Sequence, residues 1–424
     1  MINSRIQLIV KFCSKHKIYI GMVLISTIVL FLRRPDAILN AQFWAEDGAV
    51  WYQYAYNNDF SLTTLAEPYA GYLGTFPRLV SIFSGAVGVA HAPLFFSLVA
   101  LSVQLIPVMY VWGSRFEKLV PSKVFRVYLT AAYLLLPYTA EIHANVTNSQ
   151  WFLAVVAFLI VFLPEAKSLT QKLLDNGILI IACLSGPFSI FLLFILGLQA
   201  TIYRNKQIIS RNKFIILGLA ASIQLLVILL GHIARENSDM GISISTFSVI
   251  IGGQIFGAGI LGWQSIKVLT LNLWVTPLIT ALGSIFIIYV LWKAPKMLKA
   301  FVVYATLVLM VTLLFPNGAY PNLTWWETLG TPQAGGRYFY LAHLALLISI
   351  GWFYSYHKSG VVKVCVGVLV AVALLFGVRT DFRHSELKNY NYDIFVNRYK
   401  TAQQGEKIQT EIAPGFPWQV EIYK

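Results

Sequence analysis

Two adjacent acidic residues lie in an aromatic segment near the start of the chain. Glu46 and Asp47 follow Trp44 closely. Neighbouring carboxylates raise the pKa of one of the pair, which suits a general base, or they bind a divalent cation together. The alternative is structural, because two acids also complement the dipole at the start of a helix. The residues themselves leave these interpretations open, and no spacing indicates a metal-ligand set.

Two arginines are candidates for binding a lipid phosphate. Arg78 begins a charge-free stretch, and Arg337 follows two glycines just before an apolar segment. A guanidinium at such a place can hold a phosphate through paired hydrogen bonds, and glycines let the backbone approach a ligand closely. The alternative in both cases is an anchor at the membrane interface.

Polar and aromatic residues at several places suit a sugar. Glu141, His143, Asn148 and Trp151 lie between two short apolar segments, where amides can bind hydroxyls and an indole can stack on a sugar ring. The alternative is helix capping beside a belt of interfacial aromatics. The candidates for binding sugar or acceptor are Trp44, Glu67, Tyr72, Glu141, His143, Asn148, Trp151 and Tyr338.

These residues are set in a strongly apolar chain. Of 424 residues, 57% are hydrophobic and 12% are charged, and the mean hydropathy is +0.67. Because a soluble domain is about a quarter charged, this composition excludes a large soluble enzyme and a disordered chain. The class that remains is an all-α polytopic membrane protein. The net charge of +14 would suggest nucleic acid in a soluble protein, but here basic residues mark the cytoplasmic side, and we expect no nucleic-acid partner.

Apolar runs and the Lys and Arg residues between them predict about eleven transmembrane helices, with a cytoplasmic N-terminus and a C-terminus outside. A charge-free run at 176–203 is interpreted as a hairpin that turns at Gly186 and Pro187, because a single span would carry basic residues outside. The predicted spans are 18–32, 93–112, 127–140, 151–163, the hairpin pair, 214–232, 272–292, 300–315, 338–356 and 364–378.

All the candidate residues fall on the outside face of this topology. The first outside loop, 33–78, is expected to carry amphipathic helices, and a further surface helix is expected at 79–90. A glycine-rich segment at 240–266 is interpreted as re-entrant or interfacial, and another outside loop is predicted at 316–337. We treat 1–378 as one transmembrane domain and 379–424 as a short outside tail.

On these residues the chain resembles the multi-spanning glycosyltransferases of the C-type fold, which use polyprenyl-phosphate sugars as donors. Within that group it looks most like bacterial enzymes that decorate O-antigen, including serotype-converting glucosyltransferases. The likeness rests on Ala45-Glu46-Asp47-Gly48, on Tyr69-Ala70-Gly71-Tyr72 followed by Arg78, on Gly336-Arg337-Tyr338-Phe339 and on the closing stretch 412–418. The tail departs from the pattern, because many relatives carry a large soluble domain where this chain has about 45 residues.

The resemblance implies an inverting transfer of a sugar, such as glucose, from polyprenyl phosphate to a surface polysaccharide or lipid-linked acceptor. Asp47 or Glu46 would deprotonate the acceptor hydroxyl, with Asp47 the preferred base, while Arg337 and Arg78 would hold the leaving lipid phosphate. The expected location is the bacterial inner membrane, among membrane lipids, with the active site facing the periplasm. No metal is expected to be required, although a divalent cation at Glu46 and Asp47 stays open.

Two other functions fit a chain of this size and hydropathy. An O-antigen polymerase would have similar outside arginines, but the acidic pair lies early in this chain and no central outside loop dominates. A transporter or flippase of lipid-linked glycans would place ionisable residues at mid-membrane and would show repeated halves. Here the acids lie in predicted loops and no internal repeat is visible, so the transferase is preferred.

Overall fold

The computed structural model describes residues 2–203, 210–231, 239–315 and 318–424. These parts of the chain are mainly helical, with two short antiparallel β-hairpins. Among the described residues, eight helices are apolar and long enough to cross a membrane, and a bent pair of shorter helices raises the number to nine if it counts as one span. The protein is therefore a polytopic helical membrane protein.

The first half of the chain contains long apolar helices that are joined by short helices and strands. They are α1 (Ile2–Arg33), α2 (Asp36–Leu39), α3 (Asp47–Tyr52), α4 (Gln53–Asn57), β1 (Pro68–Tyr69), β2 (Tyr72–Leu73), α5 (Thr75–Ser84), α6 (Gly88–Val111), α7 (Ser114–Leu119), α8 (Lys123–Leu134), α9 (Ser149–Phe162), α10 (Leu169–Cys183), α11 (Phe188–Tyr203) and α12 (Arg211–Leu230). Ser122 and Ser168 cap α8 and α10 by accepting a backbone N–H of the first turn.

The second half has the same character and ends in a small hairpin. Its elements are α13 (Ile244–Leu261), α14 (Ser265–Leu269), α15 (Val275–Lys293), α16 (Lys296–Leu314), α17 (Trp325–Gly330), α18 (Gly336–Tyr356), α19 (Gly360–Asp381), α20 (Tyr392–Thr401), β3 (Lys407–Glu411) and β4 (Gln419–Tyr423). The eight long apolar helices are α1 from His16 onward, α6, α12, α13, α15, α16, α18 and α19.

Contacts between helix termini define two ends of the bundle. At one end, Arg33 at the end of α1 donates to the carbonyl of Leu134 at the end of α8, with a 2.6 Å separation. At the opposite end, Arg115 of α7 pairs with Asp175 of α10, and Lys213 of α12 donates to carbonyls at the end of α9. We call the first the loop end and the second the basic end.

The hairpin prediction for 176–203 is confirmed at the level of its turn. Helices α10 and α11 are broken between Cys183 and Phe188, with a bend of 112° between them. Leu184 at the break accepts a hydrogen bond from Thr75, which lies at the loop end. Asp175 of α10 lies at the basic end, and the break after α10 lies at the loop end, so the chain changes direction at the loop end between α10 and α11.

The boundaries of two other predicted spans are wrong. The surface helix expected at 79–90 and the span expected at 93–112 are instead α5, which ends at Ser84, and α6, which already begins at Gly88. The span predicted at 127–140 is the shorter helix α8, which ends at Leu134. Residues 135–148 therefore belong to a loop at the loop end, and this loop carries several of the candidate site residues.

The glycine-rich segment forms the continuous helix α13 and does not turn back within its length. Its start and its end both meet the loop end of the bundle. Asp239 and Met240 accept hydrogen bonds from the amides of Trp325 and Trp326, while Trp263 donates to the carboxylate of Asp381. These contacts agree with the interfacial alternative for this segment, although the helix is also long enough to span.

The segment 379–424 folds back over the first loop. Ala45 donates a backbone hydrogen bond of 2.6 Å to Ala413, and Gln53 of α4 accepts one of 2.8 Å from Glu421 of β4. Phe43 packs edge-on against Tyr392 of α20, in a cluster that also buries Phe395. Burial of these aromatic side chains stabilises the tail on the loop. The tail is therefore part of the wall of the site.

Candidate functional site

Two cavities at the loop end meet at three shared residues. The inner cavity, about 350 Å³, extends between membrane helices and is lined in part by Phe191 and Val308. The outer cavity, about 860 Å³, lies under the tail and the loop before α18. Glu46, Arg337 and Tyr338 line both cavities. A carboxylate and a guanidinium thus stand where two bound molecules would meet.

Glu46 is held at this junction by the backbone on either side of it. Ala45 has a positive φ of 37°, and its N–H is bonded to the tail, so the chain turns sharply before α3 begins. Burial raises the pKa of the Glu46 carboxyl, Arg337 opposes this rise and Glu141 adds to it. A carboxyl with a raised pKa beside a cation is suited to accept a proton.

Asp47 points away from both cavities. Its Oδ2 accepts the N–H of Val146 at 2.8 Å, and its Oδ1 accepts both the N–H and the hydroxyl of Thr147 at 2.7 Å. Burial raises the pKa of Asp47 to about 7, against the effect of these three hydrogen bonds. With its oxygens used in this way, Asp47 joins the first loop to the 135–148 loop and does not face a substrate.

Arg337 is fixed by Glu141. Its Nη1 donates to Glu141 Oε1 at 2.6 Å, and its backbone N–H donates to Oε2 at 2.9 Å. The glycine before α18, Gly335, has a φ of 61°, which a residue with a Cβ adopts only with strain. The turn therefore delivers both donors of Arg337 to one carboxylate, and the Arg337 side chain, 29% exposed, lines the cavities.

Arg78 does not join Arg337. Its guanidinium lies 5.0 Å from the ring centroid of Trp51 and 4.6 Å from that of Tyr54, and only 3% of the residue is exposed. It lines neither cavity, although its neighbour Pro77 lines the inner one. The geometry gives Arg78 cation–π contacts behind Trp51, with Nε and Nη1 unpartnered among the described residues, and leaves it out of the lining of the inner cavity.

Four of the predicted sugar-binding residues line the inner cavity, namely Tyr72, Asn148, Trp151 and Tyr338. The Tyr72 hydroxyl accepts a hydrogen bond of 3.1 Å from Gln150, and Trp151 packs edge-on against Tyr338. Asn148 donates to the carbonyl of Glu141, while its Oδ1 and the Trp151 indole N–H have no partner among the described residues. Buried polar atoms without partners suit a ligand rich in hydroxyls.

The remaining predicted residues divide between the outer cavity and other places. Trp44 and Glu141 line the outer cavity. Glu67 is exposed and lines neither cavity. His143 is buried, with Nε2 at 3.1 Å from the carbonyl of Leu30, and burial together with nearby arginines lowers its pKa. Neither cavity includes His143, so the structure does not bring Glu67 or His143 to the site.

The sequence interpretation missed Arg34 as a site residue. This side chain lines the outer cavity, with its guanidinium 5.9 Å from the ring centroid of Trp44. The sequence did contain a signal, because both Arg33 and Arg34 follow the first predicted span. One arginine is enough for an anchor, so the second was free to have another role. Trp418, within the closing stretch that carried the resemblance, also lines this cavity.

A divalent cation shared by Glu46 and Asp47 does not fit this arrangement. Glu46 faces the cavities, whereas both Asp47 oxygens accept hydrogen bonds from the 135–148 loop. In the described parts of the chain, no group of three or more His, Cys, Asp or Glu residues is placed to hold a metal ion. Oxygen-rich cation sites draw on more ligands than Glu46 alone supplies here.

The fold and the site together define a polytopic helical membrane protein with a polar, aromatic double cavity at one end of its bundle. Comparison of the chain with protein-family models, with curated proteins and with solved structures found no match.

Proposed function

We propose that this protein is an inverting glycosyltransferase that moves a sugar from a polyprenyl phosphate to a glycan acceptor. The observation that carries the proposal is that Glu46 and Arg337 line both cavities. A transfer reaction needs a base for the acceptor and a cation for the departing phosphate at the point where the two substrates meet.

The inner cavity suits the donor. Phe191, Val308 and Val311 give it apolar surface from two membrane helices, which matches a prenyl chain. Asn148 and Trp151 lie near the junction, where the sugar would sit. Arg337, held by Glu141, would then neutralise the phosphate next to the bond that breaks. We assign this role to Arg337 alone, because Arg78 lies behind Trp51.

The outer cavity suits the acceptor, and Glu46 is the base in this proposal. The acceptor hydroxyl gives its proton to the Glu46 carboxylate while its oxygen bonds to the anomeric carbon of the sugar. The bond from that carbon to the phosphate oxygen breaks on the opposite face, and the polyprenyl phosphate leaves with the bonding electron pair. Asp47, the base preferred on sequence grounds, becomes a positioning residue, because it anchors the turn that presents Glu46.

The same proposal includes the topology. With the basic end in the cytoplasm, the alternation of helix ends supports about eleven crossings, of which the shorter helices α8 to α11 are four. Lys213 and Arg115 then lie inside, and both cavities face the periplasm of a bacterial inner membrane. A surface polysaccharide such as O-antigen is the proposed acceptor.

The test is a transfer assay with the full chain in lipid nanodiscs and a radiolabelled polyprenyl-phosphate glucose as donor. Wild-type protein is expected to move label to a glycan acceptor, and Glu46→Gln is expected to lose about 100-fold or more of this rate. Asp59→Asn is the matched control, because Asp59 is an exposed acid with the same change of charge. Transfer by Glu46→Gln at the wild-type rate would refute the assignment of the base.

The products separate this function from the two alternatives. A single added sugar supports the transferase, whereas a ladder of polymerised repeats would favour a polymerase. In proteoliposomes, movement of labelled lipid across the bilayer without sugar transfer would favour a flippase. Either of these results would replace the proposal.

A further inference from the structure

We propose that the outer cavity binds a sugar that carries an anionic group, a carboxylate or a phosphate, and that Arg34 is the residue that selects it. The identification of the ligand as the acceptor rests on the proposed function. The charge of the ligand is inferred from the structure alone.

The contrast with the preceding residue is the first argument. The Arg33 guanidinium donates to the carbonyls of Leu134 and Leu136, to the hydroxyl of Thr139 and to the carbonyl of Asp381. Arg33 thus makes four hydrogen bonds to the fold, and only its Nε has no partner among the described residues. Arg34 makes one long hydrogen bond of 3.4 Å, from Nη1 to the carbonyl of His143, and its Nε has no partner. Only 6% of Arg34 is exposed, and it lines the outer cavity.

No acid neutralises Arg34 within the described parts of the chain. None of the ion pairs found there includes this residue. The nearest acid that acts on it is Asp36, whose Oδ2 accepts the N–H of Leu387 at 2.9 Å. Burial lowers the pKa of Arg34 to about 10, so the guanidinium still carries its charge at neutral pH. A buried cation without an ion-pair partner is costly, and an anionic ligand would reduce that cost.

The surroundings of Arg34 fit a sugar. The outer cavity of about 860 Å³ lies within the size range of ligand sites in proteins. Trp44 and Trp418 are half-buried, line the cavity and offer faces for stacking on a pyranose ring. Arg337 and Lys388 are further cations of the lining, and its acids are Glu46, Glu141 and Glu386. Glu46 lines the same cavity, so a sugar held there by its anionic group can present a hydroxyl to the base.

The experiment measures binding to the full chain in nanodiscs by tryptophan fluorescence, with four probes. Methyl glucuronide and glucose 6-phosphate carry the two kinds of anion, methyl glucoside is the neutral reference, and a short-chain polyprenyl phosphate reports on the donor. We expect one or both anionic sugars to bind about tenfold or more tightly than the neutral sugar. Arg34→Gln is expected to weaken them by about 10- to 100-fold, the value for a lost hydrogen bond between charged groups.

Two further variants make the result specific. Arg398→Gln is the matched control, because Arg398 is exposed on α20 and lines neither cavity, and it should bind all probes as wild type does. Arg34→Lys keeps the charge and should retain part of the preference for anionic sugars, which covers the case in which Arg34→Gln fails to fold.

The outcomes are distinct from those of the transfer assay. Equal binding of neutral and anionic sugars, or anionic binding unchanged by Arg34→Gln and Arg34→Lys, would overturn the inference. Loss of polyprenyl-phosphate binding alone would also overturn it, by moving Arg34 to the donor. If no sugar is transferred but anionic sugars still bind through Arg34, the proposed function fails and the anion site stands.

Discussion

The hydroxyl of Thr147 binds Asp47, the proposed positioning residue, while Glu46 is the proposed base. Removal of this hydroxyl gives the sharpest test of the two assignments. Thr147 Oγ1 donates to Asp47 Oδ1 at 2.7 Å and accepts the indole N–H of Trp51 at 2.7 Å. Valine has the same shape without the hydroxyl. Thr147→Val therefore removes one hydrogen bond to a charged group and leaves a buried indole N–H without an acceptor.

The expected cost follows from these two losses. A hydrogen bond to a charged group contributes about 1.5–3 kcal/mol, and an unsatisfied buried donor costs about 1–3 kcal/mol. Because neighbouring losses are not additive, we expect Thr147→Val to lower the free energy of unfolding by about 2–5 kcal/mol. Thr147→Ser keeps the hydroxyl and loses one methyl group, so it should cost about 1 kcal/mol. Titration with SDS in mixed micelles, followed by circular dichroism, compares the two variants.

The pH profile of transfer then separates Asp47 from Glu46. The Thr147 hydrogen bonds lower the pKa of Asp47, so loss of the hydroxyl raises that pKa further. If Glu46 is the base, the acid side of the profile for Thr147→Val stays where it is in wild type. A shift of that side to higher pH would show that Asp47 is the base. Equal destabilisation by Thr147→Val and Thr147→Ser would contradict the role given to the hydroxyl.

Three further outcomes are expected. Burial raises the pKa of Glu46, so transfer should fall as the pH drops through a value above that of an exposed glutamate, and the rate profile of the wild type against pH measures it. Arg78→Lys should lower the free energy of unfolding by about 1 kcal/mol, since the planar contact with Trp51 and Tyr54 is lost, yet leave the KM for the donor unchanged. A raised KM would return Arg78 to the phosphate site. Glu67→Gln should change stability by no more than about 0.5 kcal/mol and should not alter transfer, because Glu67 is exposed outside both cavities; loss of activity would show a role that the fold does not indicate.

The membrane helices were largely predictable because their physical cause is local. Long apolar runs must be helical in a bilayer, and the glycine and proline at 186–187 interrupt a run that charge alone could not divide. The end of α8 was harder to predict. Residues 135–140 continue the apolar character of the helix apart from Pro137, which disfavours helical backbone at Leu136. In the structure the helix has ended, and the carbonyls of Leu134 and Leu136 accept hydrogen bonds from Arg33.

The site was predictable in its composition but not in its orientation. The residues that meet at the junction, Glu46 and Arg337, were both candidates on sequence grounds. Adjacent residues on a helical turn point about 100° apart, so one of two neighbouring acids can face a cavity while the other faces the protein. Composition therefore favoured Asp47 as readily as Glu46. The same reasoning applies to the neighbours Arg33 and Arg34. The sequence pattern indicates a membrane anchor, whereas the structure places the two side chains in different surroundings.

The hydrogen bond between Gln53 and Glu421 joins residues that are 368 positions apart. In the proposed topology, residues 413–418, which supply part of the wall of the outer cavity, leave the ribosome long after the first loop has been moved across the membrane. The first loop therefore lacks its hydrogen bond from Ala45 to Ala413 until nearly all of the described chain has been made. In the proposed topology, a chain cut short before residue 413 would have its membrane helices in place and this side of the first loop open to proteases.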